Sequence, residues 1–465
     1  MSVAEKIAEK IVQTGYQELP AEALHWAKVA ILDTLGVTVA GSREPLAQIV
    51  RETLIEEGSR PECTVLGLGL KTSALNAAWG NGLLSHALDY DDISNTMGGH
   101  PSVPILPALL ALAEQRRFAG RELLLAYTVG FETECKIGRG VNFFHYDKGW
   151  HPTSTLGIFG AAAASAKLLS LSTADCARAL AIAASMASGI KANFGTMTKP
   201  LHIGQAARNG LVAALLAAKG FSANPSVFEA RQGFCNVYNQ EGQYRLEAMT
   251  EGWGAPFELV RPGVAIKQYP CCGSTHSAID ALLSLIREHG FKAEDVVSLE
   301  AMLHPRRLVH INRPQPENGL EGKFSLQYCL GRALLEREVI LSHFTDEAVR
   351  QPEIRKLMER ISASAHPQME WQSSEHFGAE VKVELKTGKT LKAHQEKAIG
   401  RGPEIPLPRE RLEAKFLDCW SQAYPRAAGA ALMDKIASLE MLEDARVLFE
   451  SFSPAQWEKM KRRSS

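Results

Sequence analysis

The sequence predicts a mainly α fold: a large all-helical domain formed by both chain ends, with a smaller α+β domain inserted in it. Three observations carry that expectation. Apolar residues recur at helical spacing over about the first 260 residues, alternating strand patterns are confined to the stretch after Arg261-Pro262-Gly263, and helical spacing returns from Pro408. At 465 residues the chain also exceeds the size at which one hydrophobic core usually stops growing, so two domains are expected. Their boundaries are read as 1–264 with 404–465 for the helical domain and 265–403 for the insertion.

In chain order, Leu24 to Val39 carries the first apolar helical pattern and ends near Gly41. Ala74 to Leu88, Ile105 to Glu114, Gly120 to Gly130, Leu156 to Leu169, Thr173 to Ser188 and Gly204 to Lys219 repeat it. Several of these are rich in Ala and Gly, which lets helices approach closely and suits burial on more than one side. The sole strand signal in this part is Cys63 to Gly67. In the insertion, Val296 to Leu303 reads as a strand, and Val381 to Leu385 alternates, turns at Thr387-Gly388 and returns over Lys389 to His394 as a hairpin. Helices near Ser274 to His289 and Leu326 to Leu335 accompany them, and Arg409 to Tyr424, Arg426 to Ser438 and Ala445 to Phe449 close the chain.

Composition excludes several functions. With 51 basic and 52 acidic residues, and no long Lys/Arg block, nucleic acid is not an expected partner. The N-terminal stretch is an amphipathic helix without the apolar core of a secretory signal, and no segment reads as membrane-spanning, the nearest being Leu156 to Ala166. The eight cysteines form no Cys-x-x-Cys pair, so zinc-ribbon, thioredoxin and iron–sulfur ligand spacings are missing. Free thiols in a cytoplasmic protein, with no cofactor and no metal, are the expectation.

Polar residues of chemical interest gather in four stretches. In His86-Ala-Leu-Asp89-Tyr-Asp91-Asp92, followed by Gly98-Gly99-His100-Pro101-Ser102, three carboxylates fall within four residues; they must be solvated, paired with cations or partly protonated. They also oppose the macrodipole at a helix C-terminus, which argues against a purely stabilising role. Tyr146-Asp-Lys-Gly-Trp150-His151-Pro152-Thr-Ser154-Thr155 brings an imidazole and hydroxyls to a helix start, where an anion could bind or Ser154 or Thr155 could cap the helix. Lys199 and His202 stand at the entrance to the next Ala-rich helix. Lys267-Gln-Tyr-Pro-Cys271-Cys272-Gly273-Ser-Thr-His276 marks the domain junction, its vicinal cysteines read as ordinary thiols. Together these groups suit proton transfer next to a carboxylate, with Lys and His holding the substrate and an Asp or His moving the proton. A metal hydrolase built on His86, Asp89 and His100 has the ligand types but no tight His pair.

These motifs, with Lys323-Phe-Ser-Leu-Gln-Tyr328, resemble the MmgE/PrpD family of 2-methylcitrate dehydratase, cis-aconitate decarboxylase and iminodisuccinate epimerase, over nearly the whole chain. The resemblance implies a helical domain with an α+β lid, a homodimer, no cofactor and a small di- or tricarboxylate substrate. By motif match it implies a pocket lined by Asp89, His100, His151, Lys199 and Tyr328, with His202, Lys267 and His276 nearby. Tyr146 joins them by similarity to the epimerase. Ile93 stands where the decarboxylase has Thr, and the interval from Asp92 to His100 carries an extra residue with Gly98-Gly99. Dehydration of 2-methylcitrate is therefore the leading expectation, with epimerisation or decarboxylation on the same scaffold as alternatives and a non-catalytic carboxylate binder as the second alternative. Arg306, Arg307 and Arg313 are read as surface residues.

Overall fold

The computed structural model describes residues 1–369 and 378–452. The chain divides into two units, Met1–Ile266 with the chain from Arg409 onward, and Lys267–Pro408. The crossings lie at 266 where the sequence reading has 264, and at 408 where it has 403.

Among its described residues the first unit is helical, with a two-stranded antiparallel ribbon, Cys63–Val65 against Leu70–Thr72. Its two chain segments are joined by charge. Asp33, buried in the helix Ala21–Gly41, pairs at 2.6 Å with Lys415 of the returning helix Arg409–Ser421, and Lys28 meets Glu440 at 2.7 Å. Ala21–Gly41 is long and apolar enough to cross a membrane, and most of it is buried inside its unit. The most membrane-like stretch is therefore this helix and not Leu156 to Ala166. Its apolar residues run all round, as a helix enclosed by neighbours requires.

One helix contact sets the position of the site. Ala74–His86 packs on Thr198–Ala217 where two glycines face each other: a Cβ on Gly82 would lie 2.8 Å from the Gly204 Cα, and one on Gly204 would lie 2.5 Å from the Trp79 carbonyl oxygen. Backbones can approach this closely only without side chains between them. His86 follows Gly82 by one turn, and Lys199 and His202 precede Gly204, so the contact brings the end of one helix to the start of the other.

Two helix limits differ from the sequence pattern by more than a turn. Gly120–Val141 runs a further three turns past Gly130, because buried Glu132, Glu134 and Lys136 break the apolar periodicity without breaking the helix. Thr198–Ala217 starts ahead of Gly204; Pro200 sits in its first turn, where its missing N–H has no partner to lose.

The second unit holds a four-stranded sheet in the order Ile361–Ala365, Val296–Leu303, Ala379–Leu385, Thr390–Gln395. The first pair is parallel and the other two antiparallel. Helices His276–His289 and Leu326–Glu336 cover it, and Ile279, Leu282, Val296, Leu299, Val381, Val383, Leu326 and Leu330 form the shared core. Ile361–Ala365 is absent from the sequence reading, since Ile-Ser-Ala-Ser-Ala offers a partner strand but little apolar alternation.

Candidate active site

The chain leaves the helix Ala74–His86 through Asp89, which adopts φ +53°, a left-handed conformation uncommon for any residue but glycine. Strain of this kind is retained where surrounding contacts hold it. Here the contact is a buried ion pair, Lys199 Nζ on Asp89 Oδ1. His100 Nε2 lies 3.7 Å from the same oxygen.

The three neighbouring carboxylates have three different fates. Asp89 is paired with Lys199. Asp91 Oδ2 lies 2.8 Å from His86 Nδ1 and 3.0 Å from His100 Nδ1; burial opposes its ionisation, but the two imidazoles outweigh burial and hold it well below the usual carboxylate range. Asp92 is pushed well above that range by burial and by Asp33 and Asp91, against the hydrogen bonds from Ser102, whose Oγ also lies 2.5 Å from the Tyr127 hydroxyl. So one aspartate is paired with a cation, one lies against histidines and one is driven by burial toward its protonated form, which relieves the crowding of charge.

The histidines stack around this turn. His86 and His100 meet edge to face at 4.6 Å, His86 and His151 lie 5.6 Å apart, and His151 Nδ1 approaches His202 Nδ1 at 3.1 Å. Burial drives the His86 imidazole down to about 3, Asp91 opposing and Lys199 assisting. Burial together with His86, Lys199, His202 and His100 holds His151 well below its ordinary value, and burial with Lys199 lowers His202. Phe194 closes one side, 4.8 Å from His151 and 5.2 Å below the Lys199 ammonium.

The loop carrying His100 is fixed at both ends. Ile93 and Ala265 exchange backbone bonds at 2.8 and 2.9 Å, and Ser94 donates to the Gly99 carbonyl at 2.9 Å. Gly99 lies so close to Thr153 that a Cβ would sit 2.8 Å from its nitrogen, and His100 N donates to Thr153 Oγ1 at 3.1 Å. The extra residue and the Gly98-Gly99 pair are thus taken up in a tight turn, and Ile93 serves a backbone bridge. His151 stands just before the short helix Pro152–Thr155, and neither candidate hydroxyl caps it: Ser154 Oγ donates to the His202 carbonyl, and Thr155 Oγ1 to that of His151.

Of the residues singled out in sequence, Asp89, His100, His151, Lys199 and His202 come together in the helical unit. Tyr146 lies under the Lys191 ammonium at 3.4 Å. Lys267, His276 and Tyr328 belong to the second unit, all buried. His276 packs on Tyr269, with Nε2 3.3 Å from the Cys271 carbonyl. The Tyr328 hydroxyl donates to the His343 carbonyl and accepts from Arg332 Nε at 3.0 Å, and burial pushes it up to about 12. None of the eight cysteines, all among the described residues, is in a disulfide. Arg306 and Arg307 are half-buried, with buried Nε atoms, which corrects their assignment to the open surface.

His86 and Asp91 are site members that the sequence reading left out. Their signal was present in the His86-x-x-Asp89-x-Asp91 spacing, but nothing in it says which carboxylate faces the imidazoles. His86, Asp89 and His100 each place one potential ligand atom within 4.8 Å of the others, so the donor types for a metal do converge. The Lys199 ammonium already sits on Asp89, however, and supplies the positive charge a metal would bring.

Comparison with known proteins gives matches over both units. Residues 5–247 match the MmgE/PrpD N-terminal domain and 269–440 the MmgE/PrpD C-terminal domain. Cis-aconitate decarboxylase of Homo sapiens is 32% identical over 460 residues, spanning 96% of this chain and 94% of the relative. The enzyme of that name from Aspergillus terreus is 27% identical over 455 residues, 93% of this chain and 92% of the relative. A cis-aconitate decarboxylase-like protein of Aspergillus oryzae is 26% identical over 481 residues, 97% of each chain.

Proposed function

The chain belongs to the MmgE/PrpD family, and from that premise we propose that it decarboxylates a small unsaturated tricarboxylate, with cis-aconitate the substrate to test first. Acid/base catalysis on a carboxylate is common ground between this reading and the dehydration expected from sequence. The move from dehydration to decarboxylation rests on the relatives named above and on one feature of the site. The carboxylate a dehydratase would need as a free base, Asp89, is tied to Lys199, while a cation and an imidazole nitrogen converge on one of its oxygens.

Decarboxylation uses that arrangement directly. When a carboxylate leaves the carbon next to a C=C bond as CO2, its electron pair stays behind as an allylic carbanion. A carboxylate conjugated with it takes up the charge as a dienolate, and one proton returned to the far carbon completes the reaction. No base is required. Lys199 would move from Asp89 to the substrate carboxylate that accepts the charge, an electrostatic stabilisation worth most in a site closed to water. His100 would return the proton from Nε2, which must first take one up from solvent and draws another from solvent after each turnover. His86 and His151, held neutral by burial, would add no further positive charge beside Lys199. The departures at Ile93 and Gly98-Gly99, which set this chain apart from the decarboxylase in sequence, fall on the backbone turn and leave these groups untouched.

Purified protein with cis-aconitate in deuterated water tests the reading by proton NMR. The expected result is one equivalent of CO2 and a five-carbon unsaturated diacid carrying a single deuterium at its methylene carbon. Failure to release CO2, or loss of water from 2-methylcitrate instead, would overturn it.

A further inference from the structure

We propose that Asp91 is a positioning residue: its buried carboxylate takes an N–H bond from Nδ1 of both His86 and His100, so that His100 moves its proton at Nε2, beside Asp89 and Lys199. The three side chains meet at one oxygen: His86 Nδ1 is hydrogen-bonded to Asp91 Oδ2 at 2.8 Å, and His100 Nδ1, buried and without another hydrogen-bond partner, lies 3.0 Å from the same atom. Asp91 and His86 have no exposed side-chain surface, so water does not mediate the contact. An ionised carboxylate can only accept. If either ring carried its proton on Nε2 alone, the Nδ1 lone pair would face that oxygen at hydrogen-bond distance, two acceptors opposed in a buried place. Both rings are therefore driven to carry a proton on Nδ1.

The consequence falls on the other nitrogen. With Nδ1 committed to Asp91, the exchangeable position of His100 is Nε2, 3.7 Å from Asp89 Oδ1, the oxygen held by Lys199. His86 is held in the same way, its Nε2 is buried without a hydrogen-bond partner, and its ring lies edge-on to that of His100. It braces the reacting imidazole and touches no substrate. Asp92, although adjacent in sequence, cannot take over the task, because it is engaged with Ser102. A carboxylate that sets the tautomer of a proton-carrying histidine acts through that histidine, as in hydrolase triads.

The inference rests on the decarboxylase reading for which proton is moved, but not for the tautomer, and the experiment separates the two. Nitrogen-15 NMR of histidine-labelled full-length protein, without substrate, reads the protonated nitrogen of each ring. His86 and His100 are expected as Nδ1–H species. In Asp91→Asn the side-chain amide can offer an N–H to the ring, His100 should lose that pattern, and kcat should fall by about 10²–10⁴-fold with KM nearly unchanged, the signature of a misplaced proton carrier. A neutral His100 whose single proton sits on Nε2 in the unmodified protein overturns the inference, as does an Asp91→Asn variant with undiminished turnover. Should Asp91→Asn fail to fold, the unmodified protein alone decides. A protein that shows Nδ1–H on both rings but releases no CO2 supports the positioning role and rejects the decarboxylase reading.

Discussion

Replacing Lys199 with methionine keeps the length of the side chain and removes its charge, which takes the lysine away from an Asp89 carboxylate that is only 4% exposed. Removing one partner of a buried ion pair costs about 3–5 kcal/mol, since the remaining charge stays desolvated. The helical unit has about 310 described residues, for which an unfolding entropy near 2.1 cal/mol/K per residue gives about 0.65 kcal/mol/K. The loss then corresponds to about 5–8 °C in melting temperature. It should shrink as the pH is lowered, because the stranded carboxylate can take up a proton. The double variant Lys199→Met/Asp89→Asn removes the uncompensated charge and should recover most of the melting temperature. Catalysis should not recover, since the charge that stabilises the dienolate is still missing, and turnover should stay about 10²–10³-fold down. Thermal melts at pH 5.5 and 8 and CO2 release for both variants are the assays. A Lys199→Met protein that melts with the unmodified one would show that the pair is not buried as described. A double variant that regains turnover would remove Lys199 from the chemistry.

Two further outcomes follow from burial. His86 and His145, driven down to about 3 and about 4, are neutral in the folded protein, while in the unfolded chain they titrate near 6.5. The unfolded state therefore binds more protons between these limits, and stability should be full above about pH 6.5 and decline as the pH falls toward 3–4. Replacing His86 with Gln should flatten that decline in melts recorded from pH 8 to 5, and an unchanged slope would refute the assignment. Tyr328→Phe removes a hydroxyl that bridges Arg332 and the His343 carbonyl. The melting of the second unit should fall by the equivalent of about 1–3 kcal/mol; turnover of the same variant tests the pocket role that the resemblance implies for Tyr328, a large loss supporting it and an unchanged value removing it.

How much of this could be read beforehand depends on what repeats. Helices and strands repeat, so Ala74–His86, Val296–Leu303 and the 379–395 hairpin are legible in the spacing of their apolar residues. The pattern fails where tertiary contacts replace it. Glu132, Glu134 and Lys136 look like the end of a buried helix, yet Glu132 accepts from the Gly254 and Glu258 backbones and Lys136 donates to the Glu251 and Gly252 carbonyls. Ile361–Ala365 has no alternation strong enough to mark it, and is a strand because Val296–Leu303 offers it a parallel edge.

The site was legible as a set of residue types and not as a set of roles. Three aspartates in four positions are equivalent on paper, and composition says only that they cannot all be ionised and unpaired. Which is paired with a cation, which is driven toward protonation and which lies against histidines depends on what approaches from 110 residues away or across a turn: Lys199 reaches Asp89, Ser102 reaches Asp92, and His100 folds back onto Asp91. The choice of chemistry turns on the same partners. A free Asp89 would be a base suited to removing a proton, and so to dehydration or epimerisation. On the proposed reading, an Asp89 bound to Lys199 would instead be a cradle that keeps a cation in place until a substrate carboxylate arrives, and decarboxylation requires that cation and one proton. On the proposed reading the reaction turns on one ion pair, whose partners stand 110 residues apart in the chain.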